Sequence, residues 1–178
     1  MPDKKLMGFL NKAQDLETKR FKNYSESAKK VINPEGKEVL LFLAKAEKRH
    51  LAILKQQLKL LEKSDKIDLS LIGNAPVFEG NARDGVGNTA NSVQGDINII
   101  KKAVNAEEYD VPFYHALLGK TDNANAKKLF KILMAEEKTH LIILRKKLRF
   151  MEEIQVSMSR RFRPRILLKD LFKAFGKS

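Results

Sequence analysis

The chain repeats itself at a spacing of 90 residues, and that repeat restricts the fold more than any other feature. Ala13 falls on Ala103, Glu17 on Glu107, Tyr24 on Tyr114, Asn33 on Asn123 and Leu43 on Leu133. Glu47-Lys48-Arg49-His50-Leu51 falls on Glu137-Lys138-Thr139-His140-Leu141, and no gap is needed between residues 12 and 62. Within each copy, inward-type residues recur at spacings of three and four, which is one face of an α-helix. Asn33-Pro34-Glu35-Gly36 interrupts the first copy, and Asp122-Asn123 marks the matching turn in the second. The repeating unit is a helical hairpin, used twice.

The pattern predicts an all-α chain with helices over Asp3 to Val31, Pro34 to Lys63, Asp96 to Gly119 and Asn125 to Glu153. Residues 64–95 hold five Gly and four Asn and keep no period, so they read as the connection between the hairpins. Their first half, with Leu69, Leu71, Ile72, Val77 and Phe78, is expected to pack on the helices, and their second half to form a flexible loop. A long crossover between the second and third helices is one way to close a four-helix bundle. The bundle is assigned to residues 1–155 and a basic amphipathic tail to 156–178, with a short helix over Pro164 to Phe175. Pro112 removes a backbone hydrogen bond within the third helix and is expected to bend it. His115 points away from the inward face and reads as a surface or interface residue.

Composition narrows the chemistry. Cysteine is absent, which excludes disulfides, thiol nucleophiles and thiolate-held iron. No apolar run approaches the ~18 residues of a membrane-spanning helix. The first residues turn polar too early for a secretory signal, and a cytoplasmic location is expected. The net charge is +13, and the last 23 residues carry seven Lys and Arg against one Asp. The rest is dispersed on helical faces beside Glu, the pattern of a solvated surface rather than of a specific nucleic-acid binder.

What the repeat keeps is chemically unusual. Glu17 and Glu107 interrupt otherwise apolar stripes, as do Glu47 with His50 and Glu137 with His140. A carboxylate on a buried face is costly unless it is paired or bound to metal. Glu and His three residues apart share a helical face and can serve one centre. Two such pairs, plus one Glu from each of the other helices, form the di-iron or di-manganese carboxylate set of a four-helix bundle. Four carboxylates also neutralise two divalent cations. Tyr24 and Tyr114 lie two turns beyond Glu17 and Glu107 on the same faces. They read either as hydrogen-bond donors to metal-bound carboxylates or as core aromatics with a wet hydroxyl.

These motifs, A-x-x-x-E-x6-Y, N-P-x-G-K and L-A-x-A-E-x-x-H, followed by A-x-x-x-E-x6-Y and L-M-A-E-E-x-x-H, resemble the rubrerythrin branch of the ferritin-like superfamily over about residues 6 to 153. The resemblance implies a ferritin-like bundle, commonly dimeric, with two iron ions per subunit, manganese being an alternative. It implies reduction of peroxide or oxidation of ferrous iron. Glu17 and Glu107 would be terminal ligands, Glu47 and Glu137 bridging ligands, and His50 and His140 would each face one metal. Full-length relatives carry a four-cysteine rubredoxin module, which a chain without cysteine lacks, so electrons would come from an external, rubredoxin-like donor. Relatives also often have an extra Glu three residues after the third-helix ligand. Asp110 stands there, either as an extra carboxylate that enters the metal shell or as a solvated side chain.

The expected activity is therefore hydrogen peroxide reduction at a di-iron site. Ferroxidase activity is the first rival, and a non-enzymatic basic protein binding membrane or nucleic acid is the second. For the tail, three readings stand open: docking on the bundle or across a dimer, an anionic membrane surface, or a groove on a larger partner.

Overall fold

Two Asn residues at equivalent places in the repeat start the second helix of each hairpin. Asn33 Oδ1 accepts from Gly36 N at 2.7 Å, and Asn123 Oδ1 accepts from Ala126 N at 2.9 Å. Each side chain thereby satisfies an amide left orphaned by the first helical turn. Pro34 follows Asn33 at a position where its missing N–H costs nothing. In the computed structural model, which describes residues 3–80 and 90–161, these caps separate four helices: α1 (Lys4–Lys30), α2 (Pro34–Ser64), α3 (Ala90–Lys120) and α4 (Ala124–Arg161). There is no strand among the described residues. Helix α1 packs along α2 and α3 along α4, and the two hairpins pack against each other. This is a four-helix bundle of ferritin-like type.

Two helix boundaries differ from the sequence reading. Helix α3 starts at Ala90, not Asp96, and Asp96 lies within it. Its buried carboxylate accepts from Ile32 N at 3.0 Å and Asn33 N at 2.7 Å, tying the α1–α2 turn to the other hairpin. Helix α4 continues past Glu153 to Arg161, so the boundary drawn between residues 155 and 156 falls inside a helix. Met158 still packs against the core there. Helix α3 runs through Pro112, whose side lies at the surface. Beyond Glu107 its buried face follows Asp110, Tyr114 and Leu117.

The start of the crossover is held by polar side chains as well as apolar ones. Buried Gln57 donates to Asp68 O at 2.6 Å and accepts from Asp68 N at 2.8 Å. Ile67 and Ile72 enter the core, and Phe78 meets Phe42 edge-on at 5.1 Å between ring centres. Val77, expected to pack, is 80% exposed. The second half of the connection, expected to be a flexible loop, lies over residues 81–89 outside the described residues, and residues 90–95 belong to α3 instead.

Two apolar clusters divide the interior. One gathers Leu6, Leu10, Leu54, Leu61, Leu129 and Phe130; the other gathers Ala28, Leu40, Leu43, Ile97, Ile100 and Leu144. The polar residues of the repeat lie between them along each helix. The tail helix expected at 164–175 lies outside the described residues. Because α4 is already packed as far as Met158, deleting residues 162–178 is expected to move the melting temperature by less than ~3 °C, about 1 kcal/mol in a chain of this size. Calorimetry of the truncated protein checks this, and a larger fall would make the tail part of the core or of a subunit interface.

Candidate metal centre

Each helix brings its share of six side chains to one point. Glu17 comes from α1, Glu47 and His50 from α2, Glu107 from α3, and Glu137 and His140 from α4. All are buried, none more than 3% exposed. They form two ligand groups whose donor atoms lie within 4.8 Å of one another: Glu17, Glu47, His50 and Glu137 in one, and Glu47, Glu107, Glu137 and His140 in the other. Glu47 and Glu137 belong to both. The repeat thus yields two half-sites related by the 90-residue shift and joined by two shared carboxylates.

The imidazoles are turned alike. His50 Nδ1 lies 3.1 Å from Glu47 Oε2, 3.1 Å from Glu137 Oε1 and 3.6 Å from Glu17 Oε2. His140 Nδ1 lies 3.0 Å from Glu137 Oε2, 3.2 Å from Glu47 Oε1 and 3.9 Å from Glu107 Oε1. The rings are nearly parallel, 5.7 Å apart. One nitrogen can satisfy one carboxylate by hydrogen bonding, and here it faces three. Accordingly, Glu17 Oε2, Glu47 Oε1, Glu107 Oε2 and Glu137 Oε1 are buried without a hydrogen-bond partner. Orphaned oxygens of this kind are rare in folded proteins, and a cation between them is their ordinary explanation. Carboxylate and imidazole donors suit iron or manganese.

Electrostatics points the same way. Burial pushes Glu17 and Glu107 well above the ordinary carboxyl range, and repulsion from Glu47 and Glu137 adds to it. Burial also opposes ionisation of Glu47 and Glu137, but the two imidazoles outweigh it and hold both below that range. Burial likewise disfavours a charged His50, yet the carboxylates of Glu137 and Glu17 raise it well above normal. His140 is raised to about 9, burial being overcome by the neighbouring carboxylates of Glu137 and Glu47. Without a cation, the four carboxyl groups can be offset only by protons held on the acids and imidazoles. Two divalent cations carry the charge that four carboxylates need.

Tyr24 and Tyr114 are both fully buried, so the wet-hydroxyl alternative does not hold. Each crosses to the other hairpin. Tyr24 donates to Glu107 Oε1 at 2.5 Å, and Tyr114 donates to Glu17 Oε1. Burial and the neighbouring carboxylates hold both phenols well above their usual range, so they remain donors.

Asp110 is neither solvated nor within either ligand group. It is 1% exposed, and both its oxygens accept from Arg20, whose Nη2 reaches Oδ1 at 2.6 Å and Ala106 O at 3.1 Å. Burial raises the Asp110 carboxyl to about 6, and Arg20 opposes that rise. Arg20 and Asp110 are themselves related by the 90-residue shift, so complementary charge has replaced identity at this pair of positions. His115 is exposed, as its position on the helix suggested.

One neighbour of the cluster went unnoticed in the sequence. Glu136 Oε2 lies 3.0 Å from His50 Nε2 and accepts from Arg49 Nη1 at 2.8 Å. Arg49 also donates to Ile72 O at 2.9 Å, binding the crossover to the site. Glu136 precedes Glu137 in a charged run, Glu136-Glu137-Lys138. The informative signal was the repeat comparison itself, because its counterpart is Ala46 and that of Arg49 is Thr139. The two half-sites therefore differ: among the described residues nothing hydrogen-bonds His140 Nε2.

The rubrerythrin family model matches residues 8–148. The chain belongs to the rubrerythrin family. No curated protein matches it. Among solved structures, a hypothetical protein from Pyrococcus furiosus is similar, at 25% identity and a TM-score of 0.63 over 86% of this chain and 94% of that one. Rubrerythrins are di-iron proteins, and the buried carboxylate and histidine cluster is compatible with iron. These 178 residues contain no cysteine and so include no rubredoxin module.

Proposed function

We propose that this rubrerythrin-family chain is a non-haem di-iron oxidoreductase that reduces hydrogen peroxide, using electrons from an external, rubredoxin-like donor protein. The observation that carries the reading is the pair of ligand groups sharing Glu47 and Glu137, which suits two ions held side by side. Glu17, Glu47, His50 and Glu137 would hold one iron, and Glu47, Glu107, Glu137 and His140 the other. When bound, the pair supplies the two electrons that cleavage of one O–O bond requires.

The protein's own groups prepare the site. Tyr24 and Tyr114 fix the orientation of Glu107 and Glu17 across the hairpins. Glu136 accepts from Nε2 of His50, which leaves Nδ1 to face the carboxylates. Arg49 in turn holds Glu136. The surplus of positive charge suits a small redox protein better than a mineral store, which calls for an acidic nucleating surface. The working unit is proposed to be a homodimer in the cytoplasm. No described helix is long and apolar enough to cross a membrane.

Stopped-flow oxidation of the diferrous protein tests this. Hydrogen peroxide is expected to oxidise it at least ~10-fold faster than dioxygen, a barrier difference of ~1.4 kcal/mol, and the product should retain two irons rather than a mineral core. Faster reaction with dioxygen would make the protein a ferroxidase. Asp110→Asn should leave the peroxide rate within about twofold, under ~0.5 kcal/mol, because Arg20 engages both Asp110 oxygens. A large fall would return Asp110 to the reacting shell.

A further inference from the structure

The His50 and His140 halves of the cluster are sealed differently. Glu136 and Arg49 cover His50, whereas the repeat puts Ala46 and Thr139 at the equivalent places around His140. On the His140 side the structure holds a cavity of about 530 Å³. Its walls are mostly apolar, with Phe42, Val77, Phe78 and Ile142 among them, and Glu136, Thr139 and Lys146 also line it. His140 is only 3% exposed, while Ile142 is 53% and Val77 80% exposed, so the lining spans from exposed apolar residues to the buried histidine. Phe42 meets the His140 ring edge-on at 6.3 Å and Phe78 at 5.1 Å, so the aromatic wall runs unbroken from the crossover to the cluster.

Hydrogen peroxide is little larger than water and wholly polar. It gains nothing from apolar walls, and a cavity of this size far exceeds it. An alkyl chain gains from each methylene it takes out of water. We propose that this cavity binds the apolar tail of an organic hydroperoxide and directs its O–O–H end to the His140 side of the cluster. The proposal rests on the peroxide-reduction reading and names its substrate class. In the reaction R–O–O–H takes up two electrons and two protons, its O–O bond breaks, and R–OH and water leave. The electrons come from the reduced site and are replaced one at a time by the donor protein, and the protons come from solvent.

The test has a binding arm and a kinetic arm. Calorimetric titration of the iron-loaded protein with 1-octanol, the product of octyl hydroperoxide, should show saturable one-site binding. Ile142→Asp, and separately Val77→Asp on the opposite wall, should weaken it at least ~10-fold. Both positions are exposed, so neither change threatens the fold. In single turnover, each variant should slow consumption of octyl hydroperoxide by a similar factor, with hydrogen peroxide within about twofold of wild type. Absence of octanol binding overturns the proposal. So does binding that neither variant weakens. If octanol fails to bind and Ile142→Asp instead dissociates a dimer, the face is a subunit interface and the proposal falls. Consumption of hydrogen peroxide but not of octyl hydroperoxide overturns the substrate class alone. Consumption of neither peroxide, with octanol binding intact, overturns the peroxide-reduction reading beneath it.

Discussion

Replacing Glu47 and Glu137 together by alanine should abolish dinuclear metal binding. These are the two carboxylates common to both ligand groups, so their loss leaves each histidine with a single Glu. Elemental analysis after anaerobic reconstitution should give about two ions per chain for wild type and none held stoichiometrically by the variant. The stability consequence is a matter of linkage. At a free-ion concentration about 100-fold above the dissociation constant, each ion adds ~2.7 kcal/mol, or ~5–10 °C in melting temperature for a chain of this length. A chelator should therefore lower the wild-type melting temperature and leave that of the variant unchanged. This comparison separates loss of metal from general damage to the core, because damage would lower the variant's stability without abolishing its response to chelator. Wild-type protein that takes up no iron or manganese under these conditions would overturn the metal reading.

Arg20→Ala is the second change with a large expected effect. Arg20 and Asp110 form a bidentate pair between α1 and α3, with side chains 13% and 2% exposed. Removing the cation leaves Asp110 in an apolar setting that already raises it to about 6. Breaking a buried pair from one side costs ~3–5 kcal/mol. The partial exposure of Arg20 puts this case near the lower end, with a fall of ~6–12 °C. Replacing both partners, as Arg20→Met with Asp110→Leu, should recover most of the loss, since an apolar pair of similar volume leaves no orphan charge. Metal content should be unchanged throughout, because neither residue belongs to a ligand group. A melting temperature within ~1 °C of wild type for Arg20→Ala would show that the pair contributes nothing.

How much of this was legible in the sequence depended on whether a feature is periodic along one helix or arises between helices. The six cluster residues could be read in advance because a helix places residues three and four apart on one face, and a polar residue on an apolar stripe stands out. The repeat then said that every such residue occurs twice, so the four helices and the two halves of the cluster could be counted before any coordinates. The breaks at Asn33 and Asn123 were legible for the same local reason, whereas their capping bonds came only with the structure. Only the tertiary structure decided which groups meet across the hairpins. That Tyr24 serves Glu107, Tyr114 serves Glu17, Arg20 pairs with Asp110 and Glu136 holds His50 follows from how two helix pairs are set against each other. Periodicity carries no such information, because it orders residues around one axis and is silent on the neighbouring axis. The same holds for buried Lys147, which pairs with Glu35 and looked like one more surface lysine. The difference between the two half-sites is likewise tertiary. Glu136 against Ala46 is visible as a substitution within the repeat, but that it seals one histidine and leaves the other beside a mostly apolar cavity depends on where the crossover residues Pro76 to Phe78 come to rest.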